Sequence, residues 1–507
     1  MKRLRLLAII LPVLSACGEE GGQKWKPSPA IELILESVSH TEAVLSLKSF
    51  YCDDVFVIAR QEREGVPSAN EIISAGSAFS GSSITLTGLT PGTKYLAYGV
   101  GRKGELHSKV ETLSFVTVST SGSLYPYEEG RNGPPFFADV TLCPGGGVPN
   151  SNRWFSIPET WDKDRFAPHV SYKDSNGVSH WLFEAFLAIT GIDPDGKNFG
   201  INNNGRQSAN RDSWAALADY WAGDNGAFKA LDDAIADAAA RMGSKPSKRY
   251  AVMVMPDPIM FERYTDKNSS TTYWGVLDGS LLDFSRIEDQ VKALQWYIDL
   301  VREKFNALGC KYLELGGFYI LSEELVATPG GWNYQYKRWD RILPRIGEYL
   351  DARNEGLYWI PYLTADGTDI WKSLGITYAW LQPGRYWDYG DSKPIKQSIS
   401  RIDRLGMGIE LEFEYSMVEE IMSIPGCMGP DGAGNYVFDL DDVPSLRERF
   451  REYMDGFKES GLYGKRRIAL YSGSNALWQL ANSRETDDIA MYRELCRFIS
   501  ENPLKQQ

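Results

Sequence analysis

The strongest constraint on the fold is an alternation of strand-like and helix-like segments between residue 136 and the C-terminus. Eight apolar or alternating segments have the length of strands: Phe136–Leu142, His180–Ile189, Arg249–Met255, Lys311–Ile320, Leu357–Leu363, Ile376–Leu381, Met407–Tyr415 and Arg467–Tyr471. Amphipathic helical segments lie between or after them: Trp214–Met242, Phe284–Leu308, Tyr336–Asn354, Thr368–Leu374, Ile395–Leu405, Val443–Ser460 and Asp487–Glu501. Eight such units predict an α/β fold, a (β/α)8 TIM barrel. A doubly wound sheet is disfavoured because no GxGxxG motif follows these strands.

The seventh strand-like segment, Met407–Tyr415, alternates strictly between apolar and acidic residues. Its apolar side must pack on the barrel helices, so Glu410, Glu412 and Glu414 are expected to face the interior. Interior carboxylates are costly unless they are paired or functional. We interpret Glu410, the deepest of the three, as structural. The sequence leaves open whether Glu412 or Glu414 is the reactive carboxylate.

Residues 27–119 predict a small all-β domain. Its strand-like segments are Ala30–Val38, Ala43–Leu47, Val55–Arg60, Ser83–Leu86, Lys94–Gly101 and Thr112–Val118. The stretch Leu86–Tyr95, with its Pro-Gly-Thr turn before a tyrosine, resembles the fibronectin type III pattern. That resemblance implies a β-sandwich in which Tyr95 bonds to nearby backbone. Residues 119–124 have the composition of a linker, and residues 125–507 form the predicted barrel.

The N-terminus has the organisation of a lipoprotein signal. Basic residues precede the apolar run Leu6–Leu14, which is too short to span a bilayer. The sequence Leu14–Cys17 resembles a bacterial lipobox, which implies cleavage after residue 16, acylation of Cys17 and a tether over residues 18–26. Gly18–Glu20 is similar to the export signal of Bacteroidetes surface lipoproteins. The resemblance implies an outer-membrane lipoprotein at the cell surface; the alternative is an ordinary apolar N-terminus.

Composition and charge disfavour several classes of partner and site. The net charge is −13 and the sequence has no Lys/Arg stripe, so nucleic acid is disfavoured and membrane contact is expected only through the lipid anchor. The four histidines are not spaced as metal ligands, and we expect neither a metal nor a cofactor. The 15 Trp and 27 Tyr suit either core packing or stacking on sugars.

Acidic and aromatic residues mark the strand ends where TIM barrels place their sites. The candidate residues are Asp139, Tyr319, Glu323, Tyr362, Trp380, Gln382, Glu412, Glu414, Tyr415 and Tyr471. This set suits glycoside hydrolysis, which needs two carboxylates and groups that position a sugar. In the alternative interpretation, Tyr362 and Trp380 are core residues, and Glu323–Glu324 is an acidic pair at a helix N-terminus.

Four segments of the barrel resemble the DUF4855 family. They are Gly317–Tyr319 with Glu323, Trp359–Tyr362, Tyr378–Pro383 and Glu410–Glu414, and the resemblance spans roughly residues 125–500. It implies a bacterial, often lipidated, carbohydrate-associated barrel protein, and it supplies no reaction.

The positions of the acids match retaining TIM-barrel glycosidases, which carry the acid/base after strand four and the nucleophile at the end of strand seven. On this analogy Glu323 is the acid/base and Glu412 the nucleophile, although Ser322 stands where that clan has Asn. We therefore predict a glycoside hydrolase acting on a poly- or oligosaccharide. One alternative is a non-catalytic glycan-binding lipoprotein that serves partner proteins of a polysaccharide-uptake system. The other is a carbohydrate lyase or esterase, which the scarcity of His disfavours.

Overall fold

A computed structural model describes the chain in fifteen stretches: residues 28–38, 42–61, 65–79, 81–90, 93–117, 133–147, 152–157, 160–200, 207–246, 249–258, 271–325, 338–387, 395–431, 434–473 and 475–506. The chain divides into two compact units, Met1–Val118 and Ser119–Gln507. The predicted signal peptide, tether, acylated Cys17 and linker lie outside the described residues. No helix among those residues is long and apolar enough to cross a membrane.

The N-terminal unit consists mainly of antiparallel strands. One sheet contains Ala30–Val38, Ala43–Phe50 and Ser83–Leu86, and the other contains Asp54–Gln61, Ser77–Phe79, Lys94–Lys103, Leu106–His107 and Glu111–Val116. Alternate residues of both sheets, including Leu45 and Val57, meet in one apolar cluster, as the period-two pattern of the sequence requires. The helix Ala69–Ala75, which the sequence analysis did not predict, is capped by Ser68.

The C-terminal unit contains a closed barrel of eight parallel strands with helices around it, the architecture of a TIM barrel. In chain order the barrel strands are Asp139–Pro144, Ala185–Ile189, Arg249–Met255, Leu313–Ile320, Gly356–Trp359, Tyr378–Leu381, Gly408–Glu412 and Ile468–Tyr471. They are called the first to eighth barrel strands below, and the eighth pairs with the first. Each strand overlaps one of the eight predicted segments.

Within the described stretches, the helices of this unit are Lys163–Val170, Arg211–Ala222, Ala227–Met242, Ile287–Ala307, Trp339–Asp351, Ile395–Leu405, Glu419–Met422, Val443–Glu459, Ala476–Asn482 and Thr486–Ser500. Short 3-10 helices cover Trp371–Leu374, Tyr415–Met417, Leu440–Asp442 and Pro503–Gln506. Hairpins in the described part of the chain pair Ser171–Lys173 with Ser179–Trp181, Val276–Leu277 with Ser280–Leu281, and Gly429–Pro430 with Tyr436–Phe438.

Two predicted segments are wrong in extent. The predicted helix Trp214–Met242 is two helices, because the chain turns between Gly223 and Gly226, where backbone approaches too closely for a side chain. The predicted strand His180–Ile189 joins two elements. Its first residues belong to a hairpin, and the barrel strand begins only at Ala185.

The fourth barrel strand contains a β-bulge in its middle. The strand's register against the third strand shifts between Leu315 and Gly317. Gly317 has a φ of 145°, and a Cβ there would lie 2.1 Å from the carbonyl oxygen of Gly356 on the next strand. Only glycine fits this close approach. The bulge sets the direction of Tyr319 and of the chain that continues to Glu323.

The seventh barrel strand has the orientation expected from its alternation. Phe413, just after the strand, lies against Phe450 of the surrounding helix Val443–Glu459, with 5.0 Å between ring centroids. Ile409 and Leu411 are fully buried on the same side. The alternate positions, Glu410 and Glu412, are therefore directed into the barrel end.

Candidate active site

Glu412 is the last residue of the seventh barrel strand and lies in a nest of neutral donors. Its Oε2 accepts hydrogen bonds from the backbone N–H of Gly384, at 2.7 Å, and from the hydroxyl of Tyr453, at 2.9 Å. The side chain of Trp387 donates a third. Burial outweighs these donors and raises the pKa of Glu412 to about 7, with a further rise from the charge of Glu323.

Glu323 lies in the loop after the fourth barrel strand, across the end of the sixth strand from Glu412. Its Oε1 accepts a hydrogen bond from Nε2 of Gln382 at 3.1 Å. Two residues later the N–H of Gly384 binds Glu412. Glu323 retains exposed surface, so it lines an opening, while the protein around it raises its pKa by desolvation. A single turn after the sixth strand thus holds both carboxylates.

Glu414 lies towards the eighth barrel strand. Its Oε1 accepts a hydrogen bond from the hydroxyl of Tyr471 at 3.0 Å, and its carboxylate packs against Gly473, where any Cβ would collide with it. Burial raises the pKa of Glu414 to about 7, and the hydrogen bonds from Tyr471 and the backbone of Tyr415 partly offset the rise. Glu414 is therefore a second titratable carboxylate at the same barrel end.

Two tyrosines connect the acidic residues in the interior. Burial raises the pKa of Tyr319, and the charges of Glu323 and Glu410 raise it further. Burial and the charge of Glu414 do the same for Tyr471. The pKa of Glu410 is well above its usual range because it is buried beside Glu412. Burial and the neighbouring carboxylates therefore favour the protonated form of the inner carboxyl group, which relieves the repulsion along the strand.

The arrangement suits proton transfer and carboxylate chemistry. Among the described residues, no Lys or Arg forms an ion pair with the four glutamates, and no group of His, Cys, Asp and Glu is arranged to hold a metal. Neutral donors fix the carboxylates in place without holding their pKa values low. Such groups can gain and lose protons near neutral pH, as a general acid must.

Two other candidate tyrosines lie around this end of the barrel. The hydroxyl of Tyr362 donates to Oε1 of Glu324 at 2.7 Å, and burial with this carboxylate raises the pKa of Tyr362 to about 12. The hydroxyl of Tyr415 donates to the carbonyl of Met428 at 2.9 Å. The structure thus brings Glu323, Gln382, Glu412, Glu414, Tyr319 and Tyr471 together, with Tyr362 and Tyr415 at the edges.

Asp139, predicted as a substrate contact, lies away from the candidate site. Asp139 is the first residue of the first barrel strand, so it lies at the N-terminal end of the barrel, opposite the carboxylates described above. It is fully buried, and Nζ of Lys505 approaches its Oδ2 to 2.7 Å. Burial raises the pKa of Asp139 to about 6 in spite of Lys505. The residue has a structural role.

Trp380 is likewise a core residue and not a sugar platform. Its side chain is fully buried, and its ring packs against Phe137, Tyr358 and Tyr378, with centroid distances between 5.0 and 6.2 Å. Phe137 precedes the first barrel strand, so this aromatic cluster fills the N-terminal half of the barrel. The prediction failed because a strand residue's sequence position does not indicate its depth in the barrel.

Sequence reasoning missed the residues that position the carboxylates from other elements. Tyr453 comes from the middle of a helix whose apolar spacing indicates only packing, and Gly384 contributes only its backbone. Asp257, buried at the end of the third strand, accepts a hydrogen bond from the hydroxyl of Ser322 at 2.6 Å, next to Glu323. The sequence shows Asp257 as an acid between two prolines at the end of the third strand, although it was not among the candidate site residues.

Comparison with protein families identifies the barrel. The model of the family described as a domain of unknown function, DUF4855, matches residues 155–424, which is more than half of the chain. The chain belongs to the DUF4855 family. The match includes the second to seventh barrel strands and the four glutamates described above, Glu323, Glu410, Glu412 and Glu414. It also confirms the family resemblance expected from the sequence.

Other comparisons add little about this DUF4855 protein. No curated protein matches it. It is similar to a redesigned β-sandwich protein (20% identity, 19% of this chain and 100% of the other, TM-score 0.16) and to a human collagen alpha-1(XX) fn3 domain (18%, 21% and 98%, TM-score 0.16). It is also similar to a chitinase from Bacillus thuringiensis (16% identity, 19% of this chain and 14% of the chitinase, TM-score 0.15). Matches with such low TM-scores carry no argument.

Proposed function

We propose that the barrel hydrolyses glycosidic bonds, with Glu323 as acid/base and Glu412 as nucleophile. The observation that carries the proposal is the turn after the sixth barrel strand, where Gln382 binds one carboxylate and Gly384 binds the other. Both acids therefore lie against one turn at the C-terminal end of a TIM barrel, where the active sites of such barrels lie. The charge of Glu323 also raises the pKa of Glu412, as expected of two acids that share a site.

In the first step, a carboxylate oxygen of Glu412 attacks the anomeric carbon of the sugar. The bond from that carbon to the leaving oxygen breaks, and Glu323 donates its proton to this oxygen. The product is a sugar ester on Glu412 and an ionised Glu323. The hydrogen bonds from Gly384 and Tyr453 fix the orientation of the Glu412 carboxylate for the attack.

In the second step, Glu323 accepts a proton from a water molecule while the water oxygen attacks the same carbon. The ester bond breaks, Glu412 leaves as a carboxylate, and the sugar departs with its original configuration. Glu323 is protonated again, so the two steps balance. Desolvation raises the pKa of Glu323 and so favours its protonated form, which the acid role requires.

The proposal is tested by measuring reducing ends released from native poly- and oligosaccharides by the wild type and by Glu323→Gln, Glu412→Gln and Glu414→Gln. We expect the Glu412→Gln variant to lose at least about a thousandfold in kcat on any glycan that the wild type cleaves. Equal turnover by the wild type and Glu412→Gln would remove Glu412 from the mechanism. Binding without turnover by the wild type would instead support a glycan-binding lipoprotein.

For the N-terminal unit we propose a fibronectin type III-like sandwich that acts as a spacer or docking module. Two observations support it: the hydroxyl of Tyr95 accepts a hydrogen bond from the N–H of Thr90 at 2.9 Å, and Tyr95 stacks on Phe115 with 5.8 Å between centroids. A Tyr95→Phe variant should lower the melting temperature of this unit, and an unchanged melting temperature would contradict the role of the corner bond.

We also propose that acylation of Cys17 anchors the protein in the outer membrane with both units outside the cell. The lipobox-like sequence and the acidic residues after it support this location. Protease treatment of intact cells should remove the protein, and Cys17→Ser should release it from the membrane fraction. Retention of the Cys17→Ser protein in the membrane would contradict the lipid anchor.

A further inference from the structure

A cationic and aromatic cluster lies beside the acidic end of the barrel. Arg153 and Trp154 belong to the loop after the first barrel strand, and Tyr436 belongs to the hairpin after the seventh. The rings of Trp154 and Tyr436 meet edge to face, with 5.3 Å between centroids. The guanidinium of Arg153 lies over both rings, 4.3 Å and 5.1 Å from their centroids. Tyr436 remains 45% exposed, so one wall of the cluster faces solvent.

The loop that carries the cluster contacts the chain beside Glu414, at the same barrel end as the proposed catalytic pair. Phe155 packs edge to face against Tyr415, with 5.0 Å between centroids, and the side chain of Asn152 hydrogen-bonds to Tyr415. Tyr415 is the residue after Glu414. Both loops follow the C-terminal ends of barrel strands, which flank the eighth strand in the closed barrel. A sugar chain that crosses the opening towards the seventh and first strands would therefore reach the cluster.

Arg153 differs in charge from its surroundings. The chain has a net charge of −13, and four glutamates lie at this barrel end. Within the described stretches, no carboxylate forms an ion pair with Arg153, whereas Arg385, after the sixth barrel strand, is paired with Glu452 at 2.7 Å. Stacking fixes the guanidinium plane and leaves its edge donors available for a bidentate anion. Because the glutamates repel an anion, an anionic group would bind at Arg153, beside the acidic barrel end.

We propose that Arg153, Trp154 and Tyr436 form a subsite for an anionic sugar residue of the glycan. The rings stack on the apolar face of the sugar, and Arg153 binds its carboxylate or sulfate group. The inference rests on the proposed function, since it places this subsite next to the bond that Glu323 and Glu412 cleave. It narrows the substrate class to glycans that carry uronic acids or sulfated sugars.

The subsite is tested by binding, in the full-length Glu412→Gln protein so that no substrate is consumed. Acidic polysaccharides are compared by calorimetry with their own carboxyl-reduced or desulfated forms, which are matched in chain and linkage. We expect at least one native acidic glycan to bind about tenfold or more tightly than its neutralised form. If the carboxyl-reduced form loses binding, the anion is a carboxylate. If the desulfated form loses binding, the anion is a sulfate.

Substitution of Arg153 assigns the effect to this cluster. Arg153→Gln should remove the preference for the native glycan. Trp154→Ala should weaken the binding of the native and the neutralised glycan alike. Arg353→Gln is the matched control, because Arg353 also stacks on a tyrosine, at 4.7 Å from Tyr349, but follows the helix Trp339–Asp351 at the opposite end of the barrel. It should leave glycan binding unchanged.

Equal binding of native and neutralised glycans, or a preference that survives Arg153→Gln, would overturn the subsite. Either result is distinct from failure of the hydrolase proposal. Turnover of native acidic glycans that depends on Glu412 and is unchanged by Arg153→Gln would keep the hydrolase and remove the subsite. Binding that depends on Arg153, without turnover by the wild type, would keep the subsite and remove the hydrolase.

Discussion

The two ends of the barrel treat buried acids in opposite ways. At the N-terminal end, Glu355 receives the guanidinium of Arg302, with both oxygens 3.0 Å from Nε. At the C-terminal end, Glu412 and Glu414 receive hydroxyl and amide donors instead. A cation stabilises the charged state of a buried acid, whereas neutral donors only partly offset its burial. The ion pair at the N-terminal end therefore stabilises the fold, whereas the carboxylates at the C-terminal end can exchange protons.

The largest effect is expected where a cation is removed from the N-terminal end. Arg302→Met leaves Glu355 buried without its cation, and breaking such a pair costs about 3–5 kcal/mol of unfolding free energy. Chemical denaturation at pH 7 measures it. The control is Arg345→Met, whose partner Glu288 lies 3.9 Å away at the surface, and which should cost less than about 1 kcal/mol. A loss of less than about 1 kcal/mol of unfolding free energy in Arg302→Met would contradict the proposed difference between the two barrel ends.

At the other end, removing an acid should stabilise the protein. Burial raises the pKa of Glu412 from its ordinary 4.5 to about 7, so the folded state binds the proton more tightly than the unfolded state. The resulting stability is present below pH 4.5 and is lost as the pH rises through 7. The free energy of unfolding of Glu412→Gln should therefore exceed that of the wild type by as much as about 3 kcal/mol at pH 8, and the two should be equal at pH 4. Chemical denaturation at pH 4 and pH 8 tests this prediction. Glu355→Gln serves as the comparison, because it should be less stable than the wild type.

A smaller effect is expected from one neutral donor. Tyr453→Phe removes the hydroxyl that donates to Glu412 at 2.9 Å. A hydrogen bond to a charged group contributes about 1.5–3 kcal/mol, so kcat/KM should fall about 10- to 100-fold. The pKa of Glu412 should rise, which moves the acidic limb of the pH profile to higher pH. Tyr463→Phe, whose hydroxyl bonds the carbonyl of Phe498 at 2.7 Å, should leave both unchanged.

The smallest effect is a shift in the pH profile. The charge of Glu323 raises the pKa of Glu412, so Glu323→Gln should lower that pKa. With aryl glycosides whose leaving group needs no protonation, the acidic limb of the variant should lie at lower pH than that of the wild type. A limb that stays in place would show that the two carboxylates do not share a site.

The sequence predicted the eight barrel strands because their apolar and alternating patterns are continuous over four or more residues. It also predicted the inward direction of Glu410 and Glu412 from the opposite face of the same strand. It could not predict depth along the barrel, which is why Asp139 and Trp380 were placed at the wrong end. The donors to Glu412 were equally out of reach, since Gly384 contributes backbone and Tyr453 lies 41 residues away on a helix.

The most direct test of the account is to identify the residue that becomes covalently attached to sugar. The wild type is incubated with 2-deoxy-2-fluoro glycosides that carry a good leaving group, and the labelled peptide is sequenced by mass spectrometry. The account predicts one ester, on Glu412, and its absence in Glu412→Gln. A label on Glu414 or on any other residue would contradict the assignment of Glu412 as the nucleophile.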